Sequence, residues 1–278
     1  MPLWPDGNLH LSRREWGLRM SLLSTLKGIG SDFLAAAQFL TRVPVPAPLY
    51  SADSLARSVK FFPVVGLLVG ASAAFAHLLL APHLQRIVVA FLVMTFLLLI
   101  TGLIHEDGLA DAADGFGGGW NRENILLIMR DSRIGSYGAA ALTLSLLSRI
   151  LLLSSLPLAM VPQYLIATRV LGQWTTLPLS FYLSPARSKS EDGKDGQGAR
   201  IARVTSLGSL IAGTIFSFAV VIALLRARAA FAIGVAIVVT LASGLYFQKR
   251  IGGVTGDCFG AANQIAEVAV YLCGAWIV

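Results

Sequence analysis

Charge is what this sequence has least of. Only 13% of its 278 residues are Asp, Glu, Lys or Arg, against about 25% in an ordinary soluble domain. Hydrophobic residues make up 55%, and the mean hydropathy is +0.71. A surface that poor in charge cannot be a solvated one, so a large soluble core is excluded and a polytopic membrane protein is expected. Cysteine is scarce too. Cys258 and Cys273 are the only two, and neither their number nor their spacing supports a disulfide framework or a zinc site. No basic run is interleaved with aromatic residues, so the net charge of +7 bears on membrane topology and not on nucleic acid. Residues 1–31 carry Arg13, Arg14, Arg19 and Lys27 but lead into no apolar segment with a small-residue cleavage site, so no signal peptide is read there. This polar extension is expected to be poorly ordered, with Met20 an alternative start. The membrane-embedded domain is then 32–278.

What the chain does have is long apolar runs. They fall at about 61–81, 86–104, 135–156, 160–183, 204–225, 229–248 and 258–278, each near the roughly 20 residues needed to cross a bilayer. The segment from Asp32 to Val43 is too short for that, and Pro44 and Pro46 end it. It reads as an interfacial helix. The expected fold is therefore all-α: a polytopic membrane helix bundle with about seven transmembrane helices plus a short N-terminal interfacial helix. The first span carries Gly66-x-x-x-Gly70, a small-residue face for close helix contact. Seven spans put 17 of the 22 Lys and Arg on one side: the seven up to Lys60, three in 105–134, five in 184–203, and Lys249 with Arg250. By the positive-inside rule that side is cytoplasmic. Arg226 and Arg228 fall on the other side and count against this orientation.

The loop after the second run holds the stretch His105-Glu106-Asp107-Gly108-Leu109-Ala110-Asp111-Ala112-Ala113-Asp114-Gly115. Asp107, Asp111 and Asp114 are spaced i, i+4, i+7 and so share one helical face. Like charges at that spacing repel, and the small residues between them leave room for the carboxylates to converge. One reading is a solvated acidic turn. The other, which the spacing favours, is a hard divalent cation, Mg²⁺ or Mn²⁺, shared with phosphate and water.

Other residues with chemistry lie downstream. Arg130-Asp131-Ser132-Arg133 precedes a Gly-Ser-Tyr-Gly helix start. Guanidinium groups beside a helix N-terminus suit a phosphate, though lipid headgroups would serve as well. Arg149 and Arg169 lie inside apolar runs, where a charge costs about 2.5–3.5 kcal/mol on insertion scales; Arg169 reads as functional, while Arg149 has the option of reaching the interface. Near the end comes Gly252-Gly253-Val254-Thr255-Gly256-Asp257. Its glycines let backbone N–H groups approach an anion, and Asp257 is either a further metal ligand or a helix cap. Glu267 sits within an apolar run and needs a partner, with Arg149 and Arg169 the candidates. His105 either binds substrate or sits at the interface.

These stretches, together with Phe39-Leu40-Thr41-Arg42-Val43-Pro44-Val45-Pro46 and Phe62-Pro63-Val64-Val65-Gly66-Leu67-Leu68-Val69-Gly70, resemble the cobalamin synthase family of adenosylcobinamide-GDP ribazoletransferases. They fall in family order from about residue 33 to the end. The chain departs from the pattern in its N-terminal extension, in Glu106 where an apolar residue is common, in Gln264 where glutamate is frequent, and in a 184–203 loop without the usual Gly-Leu-Gly. The resemblance implies a multi-pass enzyme of the bacterial inner membrane with its site facing the cytoplasm. The 5′-oxygen of α-ribazole, or of its 5′-phosphate, attacks the phosphate on the cobinamide of adenosylcobinamide-GDP and GMP leaves. Mg²⁺ would be held by Asp107, Asp111, Asp114 and Asp257. Asp111 or Asp114 would take the proton, and Arg130 and Arg133 would hold phosphate oxygens. Substrate contacts would come from His105, Glu106, Arg42, Asp131, Ser132, Arg169, Thr255 and Glu267. The expected partners are the two substrates and the lipid bilayer, with a homo-oligomer open. A CDP-alcohol phosphotransferase or an aromatic prenyltransferase is the alternative enzyme reading, but neither accounts for the Arg-Asp-Ser-Arg segment. A transporter would require an inverted repeat, and none is evident.

Overall fold

The computed structural model describes residues 28–45, 52–187 and 205–276. Most of the N-terminal extension and of the 184–203 loop lies outside these residues. Helix α1 occupies 28–40, so the helix already covers the last residues of the segment expected to lack order. It ends ahead of Pro44, as read. Then come α2 (Ala52–Ser58), which runs through a 3₁₀ turn into α3 (Phe62–Leu80), α4 (Arg86–Thr101), α5 (Ile104–Gly118), α6 (Arg122–Ile128), α7 (Ser136–Ser155), α8 (Val161–Trp174), α9 (Thr176–Tyr182), α10 (Leu207–Leu225), α11 (Ala229–Ile251) and α12 (Gly256–Trp276). The fold is all-helical among the described residues, apart from one isolated parallel bridge between Pro185 and Val254.

Every apolar run of the sequence became helix, but not every run became one long apolar rod. Three stretches are long and apolar enough to cross a membrane: Leu55–Leu80, Ser136–Ser155 and Leu207–Ile251. A bent pair, α4 with α5, makes a fourth if it is counted as one broken span. The 160–183 run is split at Thr175 into α8 and α9. The cause is Pro178, which has no N–H to offer the carbonyl of Trp174 and clashes with it; the Thr175 hydroxyl donates instead to Gly172 O at 2.7 Å. Leu207–Ile251 turns back at Arg226, whose φ is 51°. Leu177 and Leu179 of α9 accordingly meet both limbs, at Gly213 and Gly244.

Helix α8 is the centre of the bundle. From Ala167 to Trp174 every residue is buried. Helix α3 crosses it at Gly66 and Gly70, where a methyl group would meet Arg169 O at 2.6 Å and Ile166 Cα at 2.7 Å. The Gly-x-x-x-Gly pattern is thus a backbone-to-backbone contact. The outside of the bundle is a belt of exposed apolar side chains, among them Phe75, Leu99, Leu144, Ile215, Phe231 and Leu245. So continuous an apolar surface belongs against lipid rather than water.

The segment that carries the acidic stretch is shaped by an elbow. Gly102 (φ 63°) and Leu103 (φ 60°) are both left-handed, and α5 leaves α4 at 89°. Arg42 packs on Gly102, where a side chain would strike its own, and the Arg42 amide donates to Ile100 O at 2.7 Å. The bend directs α5 between the N-terminal ends of α7 and α12.

Candidate functional site

Two pairs of glycines and carboxylates lock α5 into place. Gly108 faces the start of α12: a methyl there would lie 3.2 Å from Asp257 Cα and from Gly260 Cα, and one on Gly260 would lie 3.0 Å from His105 O. The small residues of the acidic stretch therefore serve close helix packing, and that packing carries Asp107 and Asp257 to the same cavity wall. On the other side Asp114 is buried, and its two carboxylate oxygens accept from the backbone N–H groups of Gly135 (2.7 Å) and Gly138 (2.8 Å). It caps the N-terminus of α7, where a negative charge is favoured. Neither glycine has room for a Cβ beside that carboxylate.

The three aspartates of the acidic face thus divide. Asp114 is committed to the backbone. Asp107 is exposed and Asp111 half-buried, and neither side chain makes a hydrogen bond or ion pair among the described residues. Asp111 is within electrostatic reach of Asp107, Asp257 and Asp114, yet no three His, Cys, Asp or Glu side chains among the described residues are drawn close enough to form a ready-made metal cluster. As donors, Asp107, Asp111 and Asp257 suit a hard cation: they are carboxylate oxygens, two have no other partner among the described residues, and Asp111 on α5 is within electrostatic reach of Asp107 on the same helix and of Asp257 at the start of α12.

Asp257 pairs with Arg187 at 3.6 Å and accepts from the Thr255 hydroxyl at 3.2 Å. The cap of α12 is not Asp257 but Thr255, whose hydroxyl accepts from Cys258 N at 3.3 Å. Arg187 was invisible as a site residue in the sequence. It is brought in by the bridge in which Val254 N donates to Ser184 O (2.9 Å) and Ala186 N to Val254 O (2.8 Å). Gly253 is required there, since a Cβ would meet the Ser184 carbonyl. Arg122 ties the same corner down by donating to Ile251 O at 2.9 Å and to Ala186 O. Arg130 is exposed and close enough for its charge to be felt at Arg187.

The Arg-Asp-Ser-Arg segment is a surface loop before α7. Arg133 folds onto Asp131, donating from Nε at 3.0 Å, and these hydrogen bonds hold the Asp131 carboxyl down to about 2. Ser132 is exposed. Asp131 is therefore Arg133's partner, and it does not reach Arg130 in any hydrogen bond of the described residues.

Behind α5 lies a second, buried constellation. Arg149 donates to Glu106 at 3.0 Å and to Glu267 at 3.3 Å, and Arg169 donates to Glu267 at 2.6 Å. All four side chains are at most 2% exposed. Glu267 takes both candidate arginines as partners, and Arg149 does not reach for the interface. Glu106, Arg169 and Glu267 were expected to touch substrate. They are instead turned into this network, and none lines the cavity. Arg42, expected to do the same, stands at the elbow.

The cavity itself has a volume of ≈ 180 Å³. Its apolar side is built by Phe39, Leu40, Phe62, Ile104 and Phe259, and its polar side by Asp107, Asp257, His105, Gln173 and Thr176. Phe39 and Phe62 stack with ring centroids 5.7 Å apart. The His105 and Gln173 side chains meet at 2.9 Å, which adds Gln173 to the residues the sequence did not single out.

Fold and site together define a membrane-embedded helical bundle with an acidic, arginine-flanked cavity at one end. The chain belongs to the cobalamin-5-phosphate synthase family, whose model matches residues 32–275. Among similar proteins are three adenosylcobinamide-GDP ribazoletransferases. That of Shewanella frigidimarina is 40% identical over 246 residues, 86% of this chain and 92% of its own. That of Ralstonia nicotianae is 37% identical over 90% of this chain and 96% of its own, and that of Vibrio cholerae 37% over 86% and 91%. No solved structure matches the chain.

Proposed function

We propose that this protein is an adenosylcobinamide-GDP ribazoletransferase of the bacterial inner membrane. The observation that carries the reading is a pair of unpartnered carboxylates, Asp107, which lines the cavity with Asp257, and Asp111, within electrostatic reach of both, with Arg187 paired to Asp257, in a chain that matches the family along most of its length. Unpaired acids at a membrane edge are costly unless a cation joins them. Asp107, Asp111 and Asp257 would hold Mg²⁺, and the chemistry it would supply there is neutralisation of charge on the leaving nucleotide.

The chain's own groups do the rest. Arg130 and Arg187 hold non-bridging phosphate oxygens, with Arg133 nearby on the same loop. Asp111, free of hydrogen bonds, accepts the proton of the attacking ribose hydroxyl as that oxygen forms its bond to the cobinamide-bound phosphorus; this is not the 5′-hydroxyl, whose oxygen is already esterified in α-ribazole 5′-phosphate. The bond from that phosphorus to the GMP oxygen breaks, and GMP departs with the electron pair. Asp114 is a positioning residue: it fixes α7 against α5 and so holds Asp111 in register. The active site faces the cytoplasm, on the side that carries most of the lysines and arginines. The bent α4–α5 pair, the α10–α11 hairpin, α8 with α9, and α12 are read as crossings alongside α3 and α7, seven in all.

Purified protein incubated with adenosylcobinamide-GDP, α-ribazole and Mg²⁺ should release GMP, and chelation should stop it while the thermal midpoint stays put. Turnover undiminished by chelation removes the metal from the mechanism. Turnover of CDP-diacylglycerol in place of the corrinoid nucleotide removes the assignment.

A further inference from the structure

Arg226 and Arg228 break the charge pattern that the other lysines and arginines follow, and their surroundings give a reason. Helix α7 starts at the Asp114 cap, and its 20 residues carry its other end about 30 Å away. Helix α11 ends beside the acidic corner at Ile251, whose carbonyl accepts from Arg122, and begins far from it at Ala229. The connectors 156–160 and Arg226–Arg228 therefore lie at the end of the bundle remote from the aspartates. Arg228 donates there to Met160 Sδ, and Arg86, from the start of α4, donates to Leu156 O.

Three guanidinium groups thus gather where the chain supplies no carboxylate side chain. Residues 62–101, 136–182, 207–251 and 268–276, which build this end, contain no Asp or Glu. Arg226 is exposed and makes no hydrogen bond or ion pair among the described residues. It is also held at φ 51°, a conformation that is cheap only for glycine. Beside it opens a cleft of ≈ 450 Å³ between the start of α8 and the α10–α11 turn, with Gln163, Arg226 and Arg228 as its polar lining and Met160 and residues 223–225 as its apolar lining. Gln163 Oε1 is buried without a hydrogen-bond partner. Ile222 and Phe231, on either side of the turn, are exposed and extend the apolar belt.

An occupant must bring negative charge to two arginines, a donor to the Gln163 carbonyl, and apolar length to follow 223–225 out to the belt. Inorganic phosphate meets only the first demand. Phosphatidylcholine has no net charge and no donor in its headgroup. Phosphatidylethanolamine has the donor but sets an ammonium against the guanidinium groups. Phosphatidylglycerol meets all three, with a phosphate for the arginines, glycerol hydroxyls for Gln163 and acyl chains for the belt. We infer that this cleft is a binding site for an anionic glycerophospholipid of the leaflet remote from the aspartates, its phosphate on Arg226 and Arg228 and a headgroup hydroxyl on Gln163 Oε1. A lipid seated there ties the α10–α11 hairpin to α8. The site is independent of the reaction proposed above.

Native mass spectrometry and the thermal midpoint of the full chain in detergent test the site, with phosphatidylglycerol, phosphatidylcholine or inorganic phosphate added. Phosphatidylglycerol should be retained and should raise the midpoint; the other two should do neither. Arg226→Gly, which also relaxes the backbone, should weaken retention about fivefold or more, the worth of one cation near a lipid headgroup, while the lipid-free midpoint does not fall. Lys249→Gln, which removes one exposed charge at the opposite end of α11, should leave retention unchanged. Gln163→Leu should narrow the preference for phosphatidylglycerol over phosphatidic acid, which lacks the glycerol hydroxyls. Equal retention of phosphatidylcholine, or an effect of Lys249→Gln as large as that of Arg226→Gly, would reduce the cleft to general lipid contact and overturn the inference. A midpoint lowered by Arg226→Gly equally with and without lipid would assign the arginine to the fold and overturn it as well.

Discussion

Glu106 and Asp107 are neighbours on one helix, and the bundle treats them in opposite ways. Glu106 is 1% exposed and bonded to Arg149, which reaches on to Glu267 and so to Arg169. Asp107 is exposed and has no partner among the described residues. In the first region each charge in the apolar interior is paired with another charge of the chain, although Glu106 Oε2, Arg149 Nη2 and Arg169 Nε and Nη2 have no hydrogen-bond partner among the described residues. In the second, negative charge is gathered at the membrane edge and left unanswered. A charge the fold has already satisfied has little left to offer a substrate. One left unsatisfied has its coordination free for a cation or a proton.

The comparison is easiest to break at Asp111. Asp111→Asn should lower GMP release about 10²–10⁴-fold, the range of a general base, with the thermal midpoint in detergent unmoved. A variant of near-normal rate would put Asp111 among the solvated acids. In the buried region the outcome should be reversed. Arg169→Met leaves Glu267 with only Arg149, and removing one member of a buried pair costs about 3–5 kcal/mol, so the loss should appear in denaturation before it appears in rate. A midpoint equal to wild type would mean the network carries no structural load. Asp114→Asn lies between the two. It weakens two charge-assisted hydrogen bonds to the start of α7, each worth about 1.5–3 kcal/mol when intact. Both the midpoint and the rate should fall, the rate through displacement of Asp111. The smallest effect belongs to the exposed pair Asp131–Arg133. The carboxyl is held down to about 2 by Arg133, so whatever it contributes is present above the unfolded value of about 3.9 and is lost only as pH falls toward 2. Asp131→Asn should therefore lie below wild type at neutral and mildly acid pH by no more than the small amount an exposed pair contributes, and the two stability profiles should converge as pH falls toward 2; a larger gap at neutral pH would show that the loop pair is part of the fold.

Much of this architecture could be read from residues alone, for reasons the structure makes concrete. Runs such as 61–81 and 135–156 became helices because burial or lipid contact on every side needs no finer pattern than continuous apolarity. Gly66 and Gly70 were legible because a helix crossing has a fixed four-residue repeat. Glu267 could be matched with Arg149 and Arg169 because a charge in an apolar run must find its opposite. Glu106 carried the same signal, a carboxylate where an apolar residue is usual, and its partner was the same Arg149. What stayed hidden depends on distant backbone. Nothing local marks Arg187, which reaches the site through pairing of Ser184 and Ala186 with Val254. The spacing of Asp107, Asp111 and Asp114 showed a common face but not that Asp114 would be taken by the amides of Gly135 and Gly138. Hydropathy ran straight through Thr175 although Pro178 stood three residues on.

The elbow at Gly102 and Leu103 has a mechanical consequence. Drawn out in line, the 16 residues of α4 and the 15 of α5 would measure roughly 46 Å at 1.5 Å per residue, well beyond a hydrocarbon slab about 30 Å thick. The aspartates would then stand clear of the bilayer in bulk water, with no neighbouring helix to shelter them. The right-angle fold recovers that surplus length. It returns the acidic turn to the membrane edge, where the start of α12 shelters it and Asp107 shares a cavity wall with Asp257.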